Sequence, residues 1–397
     1  MHFLWSDSRI RVRMLGVMRR RRLLVVVSVT VFADTMLFSA IVPLLPALTE
    51  HYSLSKFEAG LLVGAYGAGA VIGGIPAGLL ASRIGPKRTV VIGLVTLAAA
   101  TLAFALGSSA AGLGTARFIQ GIASAVTWSG ALAWLTLATP RARRGKALGI
   151  VFSFAVLGFI VGPAVGALGE LTSVRATFIA IGFATLLVAL FTASFPAGPT
   201  DVRHPDALRR TVRDINFLSA VWLTVVPALF LGVLDLLVPL SLDSADWGTV
   251  AIAATFIVAA LVEVALAPII GGFSDRRGRL APIRAGLLLL IGVALGFAII
   301  ASPFLVAFLV AGGSVAASAI YTPSTALVSD RAEANKIPQA LAFGFMNTAW
   351  ATGVMVGPVV GGALAGAIGD PAPYVLCAGL GLATLLFVSR PGYASRP

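Results

Sequence analysis

Four charged residues stand inside long apolar stretches of this sequence, namely Asp34, Arg117, Asp235 and Glu263. Burying an ion in hydrocarbon costs at least about 2.5–3.5 kcal/mol, so such a group faces a cavity, pairs with an opposite charge or becomes neutral. A carboxyl group that is withdrawn from water can take up a proton near neutral pH. The four residues are therefore candidates for proton coupling, and a purely structural polar pair is the alternative interpretation.

The composition indicates which kind of protein positions these charges. Of the 397 residues, 58% are hydrophobic and 11% are charged, whereas about 25% of the residues in a soluble protein are charged. So little charge cannot cover a water-exposed surface, which excludes a soluble enzyme, a nucleic-acid-binding module and a disordered chain. One cysteine cannot form a disulfide framework, and the three histidines lie outside the apolar stretches, so we predict no metal site.

A bilayer-spanning helix requires about 20 mostly apolar residues, and the sequence contains twelve such stretches. They are rich in Gly, Ala, Ser and Thr, which favours close packing of helices within a membrane. We therefore predict an all-α integral membrane protein with twelve transmembrane helices. The predicted helices occupy, in order, about 23–48, 57–81, 89–107, 113–138, 147–169, 175–195, 216–242, 247–273, 282–301, 304–329, 339–368 and 371–389.

The basic residues predict the orientation of the chain. Of the 29 Lys and Arg residues, all except Lys56, Arg117 and Arg175 lie before the first helix, in or beside the even-numbered connections, or after the last helix. Because basic loops remain in the cytoplasm, we expect both termini there, in a multi-pass protein of the plasma membrane. The net positive charge is then a topology signal, and we expect the lipid bilayer rather than nucleic acid as its partner.

Helix geometry gives the depth of the buried charges. At 1.5 Å per residue, Asp34 lies roughly 16 Å and Glu263 roughly 14 Å from the cytoplasmic ends of their helices. Both would therefore lie near the membrane midplane, at similar heights. Arg117 and Asp235 lie within roughly 10 Å of the outer ends of their helices and could pair when the outer side is closed.

Two sequence patterns occur once in each half of the chain. The first is a segment between helices 2 and 3 that recurs between helices 8 and 9. Its members are Gly78, Ser82, Arg83 and Gly85, and then Gly271, Asp275, Arg276 and Gly278. The second is a Gly/Pro series in helix 5 that recurs with the same spacing in helix 11. Its members in helix 5 are Gly149, Gly158, Gly162, Pro163 and Gly166.

The repeated patterns predict two pseudo-symmetric six-helix halves with a central site between them. The chain is accordingly divided into a basic cytoplasmic segment, two halves joined by a cytoplasmic linker, and a cytoplasmic tail. Their limits are 1–22, 23–195, 196–215, 216–389 and 390–397.

These motifs resemble those of a known family. Gly271-x-x-x-Asp275-Arg276-x-Gly278-Arg279 resembles the loop signature of the major facilitator superfamily, although Ser82 replaces the aspartate in the first copy. The segment Arg117-Phe-Ile-Gln120-Gly121 is similar to the family motif of helix 4. The glycine series of helix 5, and Asp34 followed by Pro43-Leu-Leu-Pro46, resemble the drug:proton antiporter branch. The resemblance covers about residues 23–389.

The resemblance implies roles for the repeated patterns. The loop motif would form a gate at the cytoplasmic rim, with Asp275 capping a helix or pairing with Arg276; a plain hairpin turn is the alternative. The glycines of helix 5 would form a leak-tight bending surface for antiport. Their recurrence in helix 11 leaves open the alternative of close helix packing.

In the fold of this family, helices 1, 4, 7 and 10 line a central cavity. Candidate substrate contacts at the cavity are Asp34, Tyr66, Gln120, Trp128, Tyr321, Asn347 and Trp350. Carboxylates and aromatic rings together suit a hydrophobic cation, through charge pairing and cation–π contact. For any single aromatic residue, helix packing or lipid contact is the alternative.

The resemblance therefore implies a monomeric, proton-coupled exporter of amphipathic or cationic small molecules that works by alternating access. A sugar or metabolite facilitator of the same superfamily, or a transport-inactive receptor or scaffold, is the alternative. The sequence contains no P-loop and no catalytic Ser/His arrangement, so we predict neither ATP-driven transport nor an enzyme. No cofactor is expected, because the proton gradient would supply the energy.

Overall fold

The computed structural model describes residues 22–139, 141–197, 208–209, 211–300, 302–337, 339–390 and 393. Within these ranges it leaves undescribed the side chains of 82, 141–146, 275, 339–340 and 343. The described residues form helices and no strands, and twelve of the helices are long and apolar enough to cross a membrane. The all-α, twelve-helix prediction is confirmed.

We number these helices α1 to α12 in chain order. Their bounds are Arg22–His51, Lys56–Ile84, Pro86–Leu106, Ala110–Ala138, Arg141–Leu171, Val174–Ala193, Ile215–Asp243, Thr249–Arg277, Leu280–Ile299, Pro303–Ala334, Gln339–Ala367 and Pro371–Val388. Several helices continue past the predicted limits; for example, α5 begins six residues before the predicted 147 and α10 ends five residues after the predicted 329. The apolar residues of a span need only match the hydrocarbon core of the membrane, whereas the helical hydrogen bonds can continue into the polar zone on either side.

The first span changes direction near its end. It is helical to Ser39, turns at 40–44, and resumes as a short helix over Leu45–His51. Pro43 and Pro46 lie at the starts of these last two segments, where a missing backbone N–H costs no helical hydrogen bond. The turn carries the chain across the end of the bundle toward α7 and α8, which it contacts.

Helix pairing divides the bundle into two halves. In the first half, α4 packs against α2 and α3, and α3 packs against α6; in the second, α10 packs against α7, α8 and α9, and α9 packs against α12. The halves meet where α2 contacts α11 and where α5 contacts α8. The helices α3, α6, α9 and α12 thus lie outside and expose large apolar side chains such as Leu187 and Leu386.

The seam between the halves is closed at one end only. We call the end at which α1 begins and α12 ends the terminal end, and the opposite end the far end. At the far end, a Cβ on Gly60 would lie 2.3 Å from the Pro358 carbonyl oxygen, and one on Gly362 would lie 2.2 Å from that of Lys56. Only glycine permits such backbone contact.

Polar contacts join the halves at the same end. Lys56 forms an ion pair with Asp370, and the Thr249 hydroxyl donates to Glu170. Toward the terminal end, by contrast, a Cβ on Gly78, Gly149, Gly271 or Gly344 would meet no atom of another helix within 4 Å in the described part of the structure. The seam is therefore packed at the far end and open at the terminal end.

The repeated loop motif lies mostly inside helices. Gly78 is part of α2 and Gly271 is part of α8, in agreement with the predicted helices over about 57–81 and 247–273. The chain reverses at Gly85 and Gly278, whose φ angles are +89° and +82°. These left-handed values favour glycine, because a side chain would clash with the following carbonyl.

Candidate functional site

The Asp34 carboxylate is the centre of a buried polar cluster in the first half. Asp34 is 2% exposed. Its Oδ2 atom accepts hydrogen bonds from Ser124 Oγ at 2.7 Å and Trp128 Nε1 at 2.8 Å. The Tyr66 hydroxyl lies 3.2 Å from both carboxylate oxygens. Three donors therefore stabilise a negative charge that would otherwise be costly at this depth.

Helical spacing brings these donors together. Gln120, Ser124 and Trp128 follow one another at four-residue intervals, so they lie on one face of α4. Tyr66 comes from α2, which packs against the same face. Sequence reasoning selected Tyr66, Gln120 and Trp128 but missed Ser124, although the four-residue spacing could have identified it.

Arg117 lies on the same helix and is also 2% exposed. Its guanidinium donates to the carbonyl oxygens of Leu37 at 3.2 Å and Phe38 at 3.3 Å, which belong to the part of α1 that precedes the turn. It also donates to Gln120 Oε1 at 3.3 Å, and Gln120 donates in turn to Thr101 of α3 at 3.2 Å. The Nε atom of Arg117 has no hydrogen-bond partner among the described residues.

The charge of Arg117 acts in both directions across the bundle. The guanidinium carbon lies 4.8 Å from the centre of the Tyr66 ring. It attracts the carboxylates of Asp34, in its own half, and of Asp235 on α7, in the other half. Arg117 is therefore electrostatically linked to one carboxylate on each side of the seam.

A group of aromatic rings lies beside this cluster, where the two halves meet. Phe38 of α1 contacts Tyr66, Phe159 and Trp350, with ring centres 5.0, 5.7 and 5.4 Å apart. Trp350 belongs to α11 of the second half, and Ala228 of α7 completes the packing. Sequence reasoning selected Tyr66 and Trp350 but missed Phe38 and Phe159, because an apolar ring at a seam has the same pattern as a core residue.

The remaining candidates lie outside the Asp34 cluster. Glu263 of α8 is partly buried and has Ser318 of α10 as its hydrogen-bond partner. Tyr321 and Asn347 are partly buried on α10 and α11. Among the hydrogen bonds and ring contacts of the described residues, none joins these three to Asp34.

The glycine series of α5 packs inside its own half. Cβ atoms on Gly158 and Gly162 would lie 2.0 Å from the hydroxyls of Thr35 and Ser39, and one on Gly166 would lie 2.1 Å from the Ala40 carbonyl oxygen, all on α1. In the second half, Gly353 and Gly357 of α11 meet the α7 backbone in the same way. Pro163 lies within α5 between these contacts. This geometry supports the close-packing interpretation.

The proposed gate residues are partly described. The side chains of Ser82 and Asp275 lie outside the described part of the structure, while Arg83 and Arg276 are exposed. Next to the second copy of the motif, Arg279 forms an ion pair with Asp330 of α10, with Nε and Oδ2 3.3 Å apart. A group of three metal-binding side chains is not found among the described residues.

A twelve-helix bundle of two similar halves, closed at one end next to a buried polar cluster, is the architecture of an alternating-access membrane transporter. The chain belongs to the Major Facilitator Superfamily, whose family model matches residues 27–343. The described part of the chain is therefore that of an integral, multi-pass membrane protein, and its family is one of transporters rather than of enzymes. The resemblance found in the sequence motifs is confirmed at this level.

Comparisons with known proteins give low-identity relatives. The chain is 24% identical over 213 residues to Multidrug resistance protein 2 of Bacillus subtilis, covering 54% of this chain and 53% of that protein. It is 26% identical over 212 residues to Quinolone resistance protein NorA of Staphylococcus aureus, covering 52% and 54%. The chain thus matches about half the length of these curated relatives.

Solved structures show the same fold at still lower identity. A bacterial homologue of the human lysosomal transporter Spinster, in an inward-facing and occupied conformation, is 17% identical with a TM-score of 0.76, covering 93% of this chain and 96% of that chain. The human organic anion transporter MFSD10 is 19% identical with a TM-score of 0.71, covering 93% and 99%.

Proposed function

We propose that this transporter is a proton-coupled antiporter that exports cationic, amphipathic small molecules. The observation that carries the proposal is the buried Asp34 carboxylate, which has three donors and a neighbouring arginine. A carboxylate at this depth can hold either a proton or a cationic ligand, and the two states exclude each other. Competition for one charge is sufficient to couple two fluxes in opposite directions.

The surroundings of Asp34 suit a hydrophobic cation. The rings of Tyr66 and Trp128 carry the hydrogen bonds to the carboxylate, and the Phe38 ring lies one helical turn away. Deprotonated Asp34 would attract the charge, and the aromatic faces would contact the apolar part and contribute cation–π attraction. The names of the two bacterial relatives, which refer to drug resistance, agree with this substrate class.

Arg117 supplies a route from proton binding to conformational change. While Asp34 is ionised, the guanidinium is attracted by both Asp34 and Asp235. A proton on Asp34 removes the first attraction and leaves the second, which acts across the seam and favours closure at the far end. Proton uptake would therefore favour the conformation that is open at the terminal end, and proton release would weaken it.

We further propose that the terminal end faces the cytoplasm. Of the Lys and Arg residues that the structure describes, all except Lys56, Arg117 and Arg175 lie at this end, as the positive-inside rule requires. A proton taken up from outside would then close the far end, leave toward the cytoplasm and free Asp34 for a cation from the cell. The proton gradient would supply the energy, and no cofactor would be needed.

One observation favours a second candidate, a facilitator of neutral sugars or metabolites. Asp34 is already satisfied by three hydrogen bonds and by the Arg117 charge. In that case the cluster would be a structural polar core, and transport would not depend on a pH gradient.

Ligand binding across pH separates the two candidates. Binding of tetraphenylphosphonium to the purified chain in detergent should weaken as the pH falls, because protons compete for Asp34. Asp34→Asn should bind weakly at every pH, while the exposed Glu333→Gln should behave as the unmodified chain. An affinity that is independent of pH, or that rises in acid, would contradict the antiporter proposal and favour the facilitator.

A further inference from the structure

A crevice opens on the outer surface of the first half, at the terminal end, where α3 begins and α6 ends. Its volume is about 340 Å³, and it is lined by Ile84, Lys87, Arg88, Val91, Ile92 and Ala193. It lies on the two helices that form the outside of this half. The crevice is therefore separate from the seam and from Asp34, and it opens on the outside of the bundle.

Two cations occupy the polar end of this crevice. Lys87 Nζ donates to the Ala193 carbonyl oxygen at 2.7 Å, which fixes the ammonium group at the end of α6. An ammonium group has three N–H donors, so two remain for another acceptor. The neighbouring Arg88 is exposed and presents a planar guanidinium that can bind phosphate in a bidentate manner.

The first half offers these cations no carboxylate nearby in the chain. No Asp or Glu occurs between Glu58 and Glu170, a stretch that contains α3, α4 and their connections. The second half differs, because Arg279 at the corresponding end pairs with Asp330. The ion pairs among the described residues, Lys56–Asp370 and Arg279–Asp330, include neither Lys87 nor Arg88, so the positive charge at the start of α3 is complementary to an anionic ligand.

An apolar surface continues from the crevice toward the middle of the membrane. Ile92 and Val95 on α3, and Leu187 and Leu190 on α6, all expose large parts of their side chains. A ligand that fits the whole surface therefore carries a phosphate at one end and long hydrocarbon chains at the other. Anionic phospholipids have this chemistry, and basic pockets between transmembrane helices bind their headgroups.

We propose that the crevice is a binding site for an anionic phospholipid. The phosphate contacts Lys87 and Arg88 at the level of the headgroups, and the acyl chains lie along the exposed apolar surfaces of α3 and α6. A free phosphate ion would meet the two cations but would leave the apolar surface uncovered. The site therefore selects the lipid over the soluble anion.

The test is native mass spectrometry of the purified full chain in detergent, titrated with dioleoylphosphatidylglycerol. We expect Lys87→Gln/Arg88→Gln to lose the tightest-bound lipid, with an affinity about fivefold lower for each cation removed. The matched control is Arg276→Gln/Arg277→Gln, which removes two exposed arginines from the end of α8 in the other half and should leave that lipid bound.

Because Lys87→Gln also removes the bond to Ala193, Arg88→Gln alone provides a second variant that retains this bond. We expect Arg88→Gln to lower the affinity for phosphatidylglycerol about fivefold and to leave the thermal stability in detergent unchanged. An equal loss in the α8 control would overturn the proposal, as would equal binding of phosphatidylcholine. Displacement of the lipid by glycerol 3-phosphate at similar concentrations would show that the site takes a soluble phosphate instead.

Discussion

The two halves share their helix pairing but differ in the partners that stabilise their buried carboxylates. In the first half, Asp34 has three hydrogen-bond donors and a neighbouring arginine. In the second half, Glu263 has one hydrogen-bond partner among the described residues, Ser318, and Asp235 is attracted by Arg117 from across the seam. The two halves thus share a scaffold, while the polar network around Asp34 belongs to the first half.

The largest expected effect tests this asymmetry directly. Asp34→Asn mimics the protonated side chain and should reduce pH-driven efflux from proteoliposomes to the background rate, with membrane insertion unchanged. Glu263→Gln removes a carboxylate with one partner and should retain measurable efflux. Equal loss in the two variants would mean that both halves carry the coupling, and full activity of Asp34→Asn would exclude Asp34 as the proton carrier.

A second comparison concerns the two ends of the seam. Gly60→Ala places a methyl group against the Pro358 backbone, at a cost of about 1–3 kcal/mol in the conformation closed at the far end. It should increase the labelling of Val63→Cys, in a Cys377→Ala background, by membrane-impermeant maleimide added from the far side. Gly114→Ala, near the far end of α4, meets no atom of another helix within 4 Å in the described structure and is the control. Unchanged labelling in Gly60→Ala would mean that the glycine seam does not select a conformation.

The two copies of the loop motif should also differ. Because Ser82 lacks the carboxylate of the family pattern, Asp275→Asn should impair conformational switching more than Ser82→Ala, by about 1 kcal/mol or less. The same cysteine labelling at the far side measures the switching. Similar effects at the two positions would refute the asymmetry.

The smallest expected effect is at the rim of the far end. Lys56 and Asp370 are 39% and 54% exposed, and a solvated ion pair contributes less than about 1 kcal/mol. Lys56→Gln should therefore shift the labelling slightly, and 0.5 M salt should abolish the difference from the unmodified chain. A large shift would show that this pair, rather than the glycine seam, holds the far end closed.

Apolar length predicted the helices well, because the cost of unpaired backbone groups in hydrocarbon leaves few alternatives to helix. It could not predict where helices end in the polar zone, as the early start of α5 and the late end of α10 show. The contact between α2 and α11 could not be predicted either, because small residues permit close packing without specifying which helix approaches.

For the candidate site, the sequence predicted the buried charges and two of the three donors to Asp34, but it did not predict which of these residues lie together. Buried charge is rare enough in a membrane helix to be conspicuous, so Asp34 and Arg117 stood out. Ser124 resembles the many packing serines unless the spacing of α4 is considered. The separation of Glu263, Tyr321 and Asn347 from Asp34 depends on the rotation of whole helices, which local sequence does not encode.

The three donors around Asp34 are not equivalent, and this decides how the site accommodates an added proton. The hydroxyls of Tyr66 and Ser124 can reverse and accept a hydrogen bond, whereas the Trp128 indole can only donate. A protonated Asp34 that keeps Trp128 on its bare Oδ2 atom therefore carries the proton on Oδ1 and donates it to the Tyr66 hydroxyl, the group that lies 3.2 Å from Oδ1. Each proton that binds Asp34 would reverse the donor and the acceptor of one hydrogen bond. The direction of that bond would therefore differ between protonated and ionised Asp34.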